Sequence, residues 1–152
     1  MKVSAKVEYA LRLMADIARY GHDGQVVPLK DVARRQQLSK LYLAQLTIPL
    51  KHAELLKSVW GNKGGFLLAR APAKINLLDI VEAVDGPVSV LDCLHDPGIC
   101  KRSKGCECIG VWRDVNPGIV NALAARTLED VVSRRPKRGI RDVSLSTKPT
   151  LH

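Results

Sequence analysis

A chain of 152 residues with 46% hydrophobic content is long enough for one compact domain with an appendage, and its core must be aliphatic because aromatics supply only 4%. No apolar run approaches the roughly 18 residues that cross a bilayer, and the opening MKVSAKVEYALRL is charged throughout, so neither a membrane span nor a signal peptide is expected and the cytoplasm is the expected location. The net charge of +9 is concentrated: residues 30–74 hold nine Lys or Arg against Asp31 and Glu54, whereas 75–133 hold five cations against nine anions, which points to a polyanion-facing surface in one region only.

The first predicted helix is capped by Ser4. Val7, Ala10, Leu11, Met14, Ile17 and Ala18 recur at helical spacing until Gly21 ends it, with Glu8 and Arg12 off the stripe. After the turn HDGQ, Leu29, Val32 and Ala33 mark a short second helix. A turn at Gln37–Leu38 precedes a third, SKLYLAQLTIPLKH, which Ser39 caps and Leu43, Leu46 and Leu50 anchor inward. Two helices joined by a tight turn are the pattern of a helix-turn-helix. Pro49 predicts a kink or an early end there, because proline inside a helix costs about 3 kcal/mol.

LLKSVW and GGFLLA, separated by Gly61-Asn62-Lys63-Gly64, predict a β-hairpin with a cationic, glycine-rich tip; behind a helix-turn-helix it forms a wing. Asn76 and Asp79 then cap a short helix, INLLDIVEAVDG, with Ile75 and Ile80 at staple positions and Gly86 at its end. Residues 1–90 thus read as a winged helix-turn-helix domain. Residues 91–110 read as a cysteine-rich loop. Residues 111–133 carry Val111, Trp112, Val115, Ile119, Val120, Leu123, Leu128, Val131 and Val132 at helical spacing, interrupted at Asn116-Pro117, and their expected partner is a second copy of the chain. Residues 134–152 read as a basic, flexible tail.

All four cysteines lie in DCLHDPGICKRSKGCEC, spaced Cys93-x6-Cys100-x5-Cys106-x-Cys108. Zinc ribbons favour paired C-x2-4-C knuckles, and thioredoxin-like chemistry wants C-x-x-C at a helix start; neither is present. A cytoplasmic setting weighs against a structural disulfide. Widely spaced soft thiolates in one Gly/Pro segment suit an iron–sulfur cluster, with Lys101, Arg102 and Lys104 offsetting its charge; zinc and a thiol switch stay open. There is no phosphate loop, nucleophile elbow or carboxylate pair, and His22, His52, His95 and His152 are scattered, so an enzyme is not expected.

The ordered series LSKLYLAQL, LLKSVWGNKGGFLLAR, INLLDIVEAVDG and three spaced cysteines before Trp112 resembles the Rrf-type winged-helix transcriptional regulators (IscR/NsrR/RirA-like), from Met1 to Ser133. The resemblance implies a mainly α fold with a small β-hairpin, a long C-terminal dimerisation helix, and a homodimeric DNA-binding regulator, usually a repressor, acting on a pseudo-palindromic duplex operator. Many relatives carry one iron–sulfur cluster per subunit, here a 2Fe-2S centre in preference to 4Fe-4S, sensing iron or cluster status, redox or nitric oxide. By the same resemblance Cys93, Cys100 and Cys106 match the three thiolate ligands. The fourth ligand is open between Glu8 of the partner subunit, Cys108 and His95; some relatives carry a histidine where this chain has Ile109. Ser39, Lys40, Tyr42 and Gln45 would face DNA from the second motif helix, and Asn62 and Lys63 from the wing. Trp60 stands where some relatives carry arginine, either as a DNA contact or packed at the wing base. The competing readings are a cluster-free regulator controlled by cysteine oxidation or a protein partner, and a metal or cluster carrier.

Overall fold

The computed structural model describes residues 2–134; the predicted basic tail, Arg134 apart, lies outside the described residues. Helix α1 (Ala5–Tyr20) starts where the Ser4 hydroxyl accepts from the Val7 N–H and stops at Gly21, as its caps dictate. Its apolar stripe, Ala10, Leu13, Met14 and Ile17, is fully buried and forms the axis around which the other elements pack. Helix α2 (Leu29–Gln36) and helix α3 (Lys40–His52) lie across it, joined by a turn in which Gln37 takes a left-handed conformation at φ 54°. That conformation is costly for a side-chain-bearing residue, and it makes the turn tight.

A buried ion pair fixes this arrangement. Asp16 of α1, 2% exposed, accepts from Arg35 Nε at 3.1 Å, Arg35 Nη2 at 2.5 Å and Gln36 Nε2 at 2.8 Å. The Arg35 guanidinium also lies 4.0 Å from the centroid of the Tyr20 ring, and hydrogen bonding to Asp16 raises its pKa above the ordinary arginine range. Arg12 adds a hydrogen bond to the Gln36 side chain at 3.2 Å and a second to its carbonyl.

Pro49 does not break α3. The helix runs through it to His52, and only one backbone bond, to the carbonyl one turn earlier, is lost. Leu46 and Leu50 on either side are buried at 4% and 0% exposure, and Leu50 reaches the core only if the helix continues. Strands β1 (Leu56–Val59) and β2 (Gly65–Leu68) pair antiparallel with Leu56 opposite Leu68 and Val59 opposite Gly65. Val27 adds a bridge to Phe66, N···O 3.0 and 2.9 Å, tying the hairpin to the helical scaffold. Helix α4 (Leu77–Asp85) begins with the Asn76 side chain accepting from the Asp79 N–H at 2.8 Å, while the Asp79 carboxylate pairs with Arg70 at 3.5 Å.

Four expectations need correction beyond α4. The cysteine-rich segment is not a continuous loop: it contains helix α5 (Asp92–His95) and short helical turns at Pro97–Ile99 and Ser103–Gly105. The helix expected over 111–133 is two helices, α6 (Glu107–Ala124) and α7 (Leu128–Ser133). Asn116-Pro117 does not interrupt α6. Asn116 instead anchors it, accepting from the Val90 N–H at 2.9 Å and donating to the Val88 carbonyl at 3.3 Å. Helix α7 folds back on the core rather than outward: Leu128 is fully buried, its N–H bonds the Ile75 carbonyl at 2.8 Å, and Leu77 N–H bonds the Arg126 carbonyl at 2.8 Å. The core of the winged helix therefore reaches beyond residue 90. Buried leucine and solvent-facing valine look alike in a helical stripe, so the sequence alone does not divide them.

Candidate nucleic-acid interface and cysteine segment

On α3 the solvent-facing residues are Lys40, Leu41, Gln45 and Ile48, with Lys51 and His52 in the last turn. Ser39 is consumed as the cap, its hydroxyl accepting from the Tyr42 N–H at 3.3 Å. Tyr42 is half-buried, its ring edge-on to Tyr9 at 5.8 Å and 89°, and the Arg12 guanidinium lies 5.7 Å from the Tyr9 centroid. It therefore packs on α1. Leu41, 73% exposed, and Ile48, 52% exposed, flank Gln45 at helical spacing and were missed among the sequence candidates. The signal was available: Leu41 and Ile48 are apolar residues off the Leu43–Leu46–Leu50 stripe, and such residues do not pack inward.

The wing continues from α3 through Ala53 and Glu54, and β1 packs against that helix. Asn62 and Lys63 are exposed at its tip, and Trp60 is 92% exposed, which rules out packing at the wing base. Lys40, Lys57 and Lys63 form no ion pair among the described residues, so their charge is free for a polyanion.

The four cysteines are free thiols distributed along the segment that connects α4 to α6. Cys93 sits in α5, Cys100 between two helical turns, Cys106 at the N-cap position of α6, and these three are half-buried; Cys108 is exposed in the first turn of α6. His95 is exposed at the end of α5. Glu8 is in the first turn of α1, 63% exposed, with Arg12 at 3.9 Å. Among the described residues no three of these donors are gathered as a metal site. An open cavity of about 560 Å³ lies beside Cys106, bordered by Lys104, Glu107 and Arg113. The donor set is soft and thiol-rich and fits an iron–sulfur cluster in kind; no cage stands ready within one subunit.

The first turns of α6 project beyond the core. Val111, Trp112 and Val115 are exposed at 63%, 41% and 42%, an apolar strip too large for a solitary helix face. A helix-turn-helix with a cationic wing, carried on a core that extends into a helix with an exposed apolar start, defines a winged-helix DNA-binding protein.

Comparison with known proteins narrows the class. The family model described as Rrf2, iron-dependent transcriptional regulator, matches residues 3–134. The HTH-type transcriptional regulator CymR of Bacillus subtilis is 35% identical over 133 residues, covering 88% of this chain and 91% of that protein. The solved structure of that CymR, the global cysteine regulator of B. subtilis, superposes with a TM-score of 0.72 over 90% of this chain and 99% of that one. The HTH-type transcriptional regulator IscR of Xenorhabdus nematophila is 33% identical over 148 residues, 97% of this chain and 89% of that protein. The oxidized form of Staphylococcus aureus CymR superposes at a TM-score of 0.68 with 29% identity, over 90% of this chain and 99% of that one. The chain belongs to the Rrf2 family of transcriptional regulators. It is a DNA-binding regulator of a typically dimeric kind, and not an enzyme. No described helix is long and apolar enough to cross a membrane.

Proposed function

We propose that the protein is a cytoplasmic homodimeric repressor that binds a pseudo-palindromic duplex operator and whose operator affinity is set by an iron–sulfur cluster, 2Fe-2S in preference to 4Fe-4S, at the cysteine segment. One observation carries the reading: the segment that holds every cysteine is the covalent link between the winged helix and the exposed apolar start of α6. The family model's description as iron-dependent and the IscR relatives support it.

Cys93, Cys100 and Cys106 would hold the cluster, with Glu8 of the partner subunit, Cys108 or His95 completing it. Glu8 suits a ligand across the dimer because its carboxylate is exposed and paired only loosely with Arg12. When bound, the cluster supplies a redox- and ligand-sensitive cross-link between thiolates. The protein's own residues do the rest. Val111, Trp112 and Val115 bury against their symmetry mates. Lys40 and Lys63 neutralise phosphates, and Gln45 pairs with an adenine edge in the major groove, flanked by Leu41 and Ile48 against thymine methyl groups. Two reading heads must meet half-sites about 34 Å apart, so a small change in the start of α6 alters the fit of both. A hundredfold change in occupancy requires about 2.7 kcal/mol between the two states.

A second reading, cysteine oxidation without a cluster, draws on the ungathered free thiols and the oxidized CymR relative. One experiment separates them. Protein purified without oxygen is assayed for visible absorption, iron and sulfide, and its affinity for duplexes it selects from a random pool is measured before and after chelation. The cluster reading expects coloured protein and at least a tenfold affinity change on stripping. Colourless, iron-free protein whose affinity responds only to oxidants selects the second reading, and a monomer in solution overturns both.

A further inference from the structure

The wing carries a large side chain that the fold does not use. Trp60 directly follows Val59, the last residue of β1, and is 92% exposed. An indole has about 150–250 Å² to bury and gains by burying it, so its display here needs a reason. Three of the hairpin residues near it are glycines and offer no side chain to lean on. Gly61 sits at φ 115°, which favours glycine; a Cβ at Gly64 would lie 2.4 Å from the Val59 carbonyl oxygen, and one at Gly65 would lie 2.3 Å from that of Val27. These close approaches pinch the hairpin, and the Val27–Phe66 bridge fastens it to the scaffold. Trp60 is thus a bulky apolar group on a stiff, narrow mount.

Its surroundings select the occupant. Lys57 and Lys63 are exposed along the same hairpin, and neither is paired within the described residues. A flat apolar ring on a hairpin that also carries free cations complements a ligand with stacked apolar faces between lines of negative charge. Duplex DNA has that construction: phosphates on the outside and base pairs stacked within. The indole is too wide to lie along a narrow A-tract groove as a guanidinium can, so it gains burial only by parting a base step. Steps part unequally: TA and CA/TG open most easily.

We propose that Trp60 is a wedge that enters the minor groove, slides between two base pairs and kinks the duplex, so that the wing selects a deformable pyrimidine–purine step instead of a hydrogen-bond pattern. Apolar wedges of this kind bend DNA by about 20–90° toward the major groove. In a dimer the two wings impose two symmetric kinks outside the α3 contacts. The inference rests on the reading of the protein as a duplex-DNA binder.

The test uses the full-length protein and duplexes it enriches from a random-sequence pool. Bending is read by energy transfer between end labels, and unstacking by 2-aminopurine placed at successive positions. Wild-type protein is expected to bend the enriched duplex, to raise 2-aminopurine emission at one symmetric pair of steps, and to lose about tenfold in affinity when those steps are changed from TA to AA. Trp60→Ala, with an unchanged thermal melt, is expected to abolish both signals, to lose about tenfold in affinity, and to be indifferent to the TA-to-AA change; Trp60→Phe restores part of the bend. If Trp60→Ala bends and unstacks DNA as wild type does, while Gln45→Ala still weakens binding, the wedge is refuted and the DNA-binding reading stands. If no duplex is enriched, both fall.

Discussion

Replacing Asp16 by alanine removes the acceptor on which the α1–α2 junction turns. In the native fold Asp16 is 2% exposed and its carboxylate accepts from Arg35 Nε, shared between both oxygens, from Arg35 Nη2 and from Gln36 Nε2. Removing one partner of a buried pair costs about 3–5 kcal/mol, because the remaining charge is stranded. Arg35 keeps 25% of its side chain exposed and can turn toward water, so the lower end of that range, about 3 kcal/mol, is expected. Asp16→Asn keeps an oxygen but not the charge, and about 1.5–2 kcal/mol should go, within the range for hydrogen bonds to charged groups. Urea unfolding followed by circular dichroism measures both, with the denaturant slope checked for constancy. The order alanine below asparagine below wild type is required. An Asp16→Ala loss under about 1 kcal/mol would show that Arg35 and Gln36 hold α2 no better than solvent does, and the account of how the reading helix is positioned would be wrong. Raising pH should not release the pair. The Arg35 pKa is raised in the folded state by hydrogen bonding to Asp16, so its stabilising effect is complete below the ordinary arginine range and is lost only above it.

Leu41→Ala and Ile48→Ala should each weaken specific DNA binding by about five- to tenfold, the scale of one lost base contact, while leaving the melting temperature unchanged because both side chains are exposed; equal affinity by fluorescence anisotropy would exclude them from the contact face. Asp130 carries the acid sensitivity of the C-terminal anchor. Hydrogen bonding to Thr127, whose N–H donates to the carboxylate at 2.8 Å, holds its pKa below the usual carboxylate range, so its stabilisation is present above that range and fades as pH falls through the depressed value; Asp130→Ala should remove this component from the acid limb of the pH–stability curve, and an unchanged curve would contradict it.

Much of this was legible in the residues because local chemistry and tertiary packing agree there. Ser4, Ser39 and Asn76 each cap the helix their position announces, and the glycines around Asn62-Lys63 turn the hairpin so that Leu56 pairs with Leu68 and is buried. Pro49 misled because a local rule measures one lost hydrogen bond and does not see the buried Leu50 beyond it. Tyr42 lies near the boundary between the inner and outer faces of α3, and only Tyr9, on another helix, decides which side takes it. The Asp16–Arg35 pair joins residues 19 apart, beyond any periodicity. The cysteines were recognisable by type and spacing, yet a spacing does not say whether they gather, and among the described residues no three of the candidate donors do.

Asn116 gives the architecture a mechanical consequence. It clasps the middle of α6 to residues 88–90, while the Asn76–Thr127 bridge fastens the chain just past its far end. The rear half of α6 is thus riveted at two points to the flanks of α4 and cannot pivot against the reading head. What is left to swing is the forward arm, Glu107 to Val115, and its free end is tied to the cysteines. A disturbance at that end is carried to the clasp along one continuous helix.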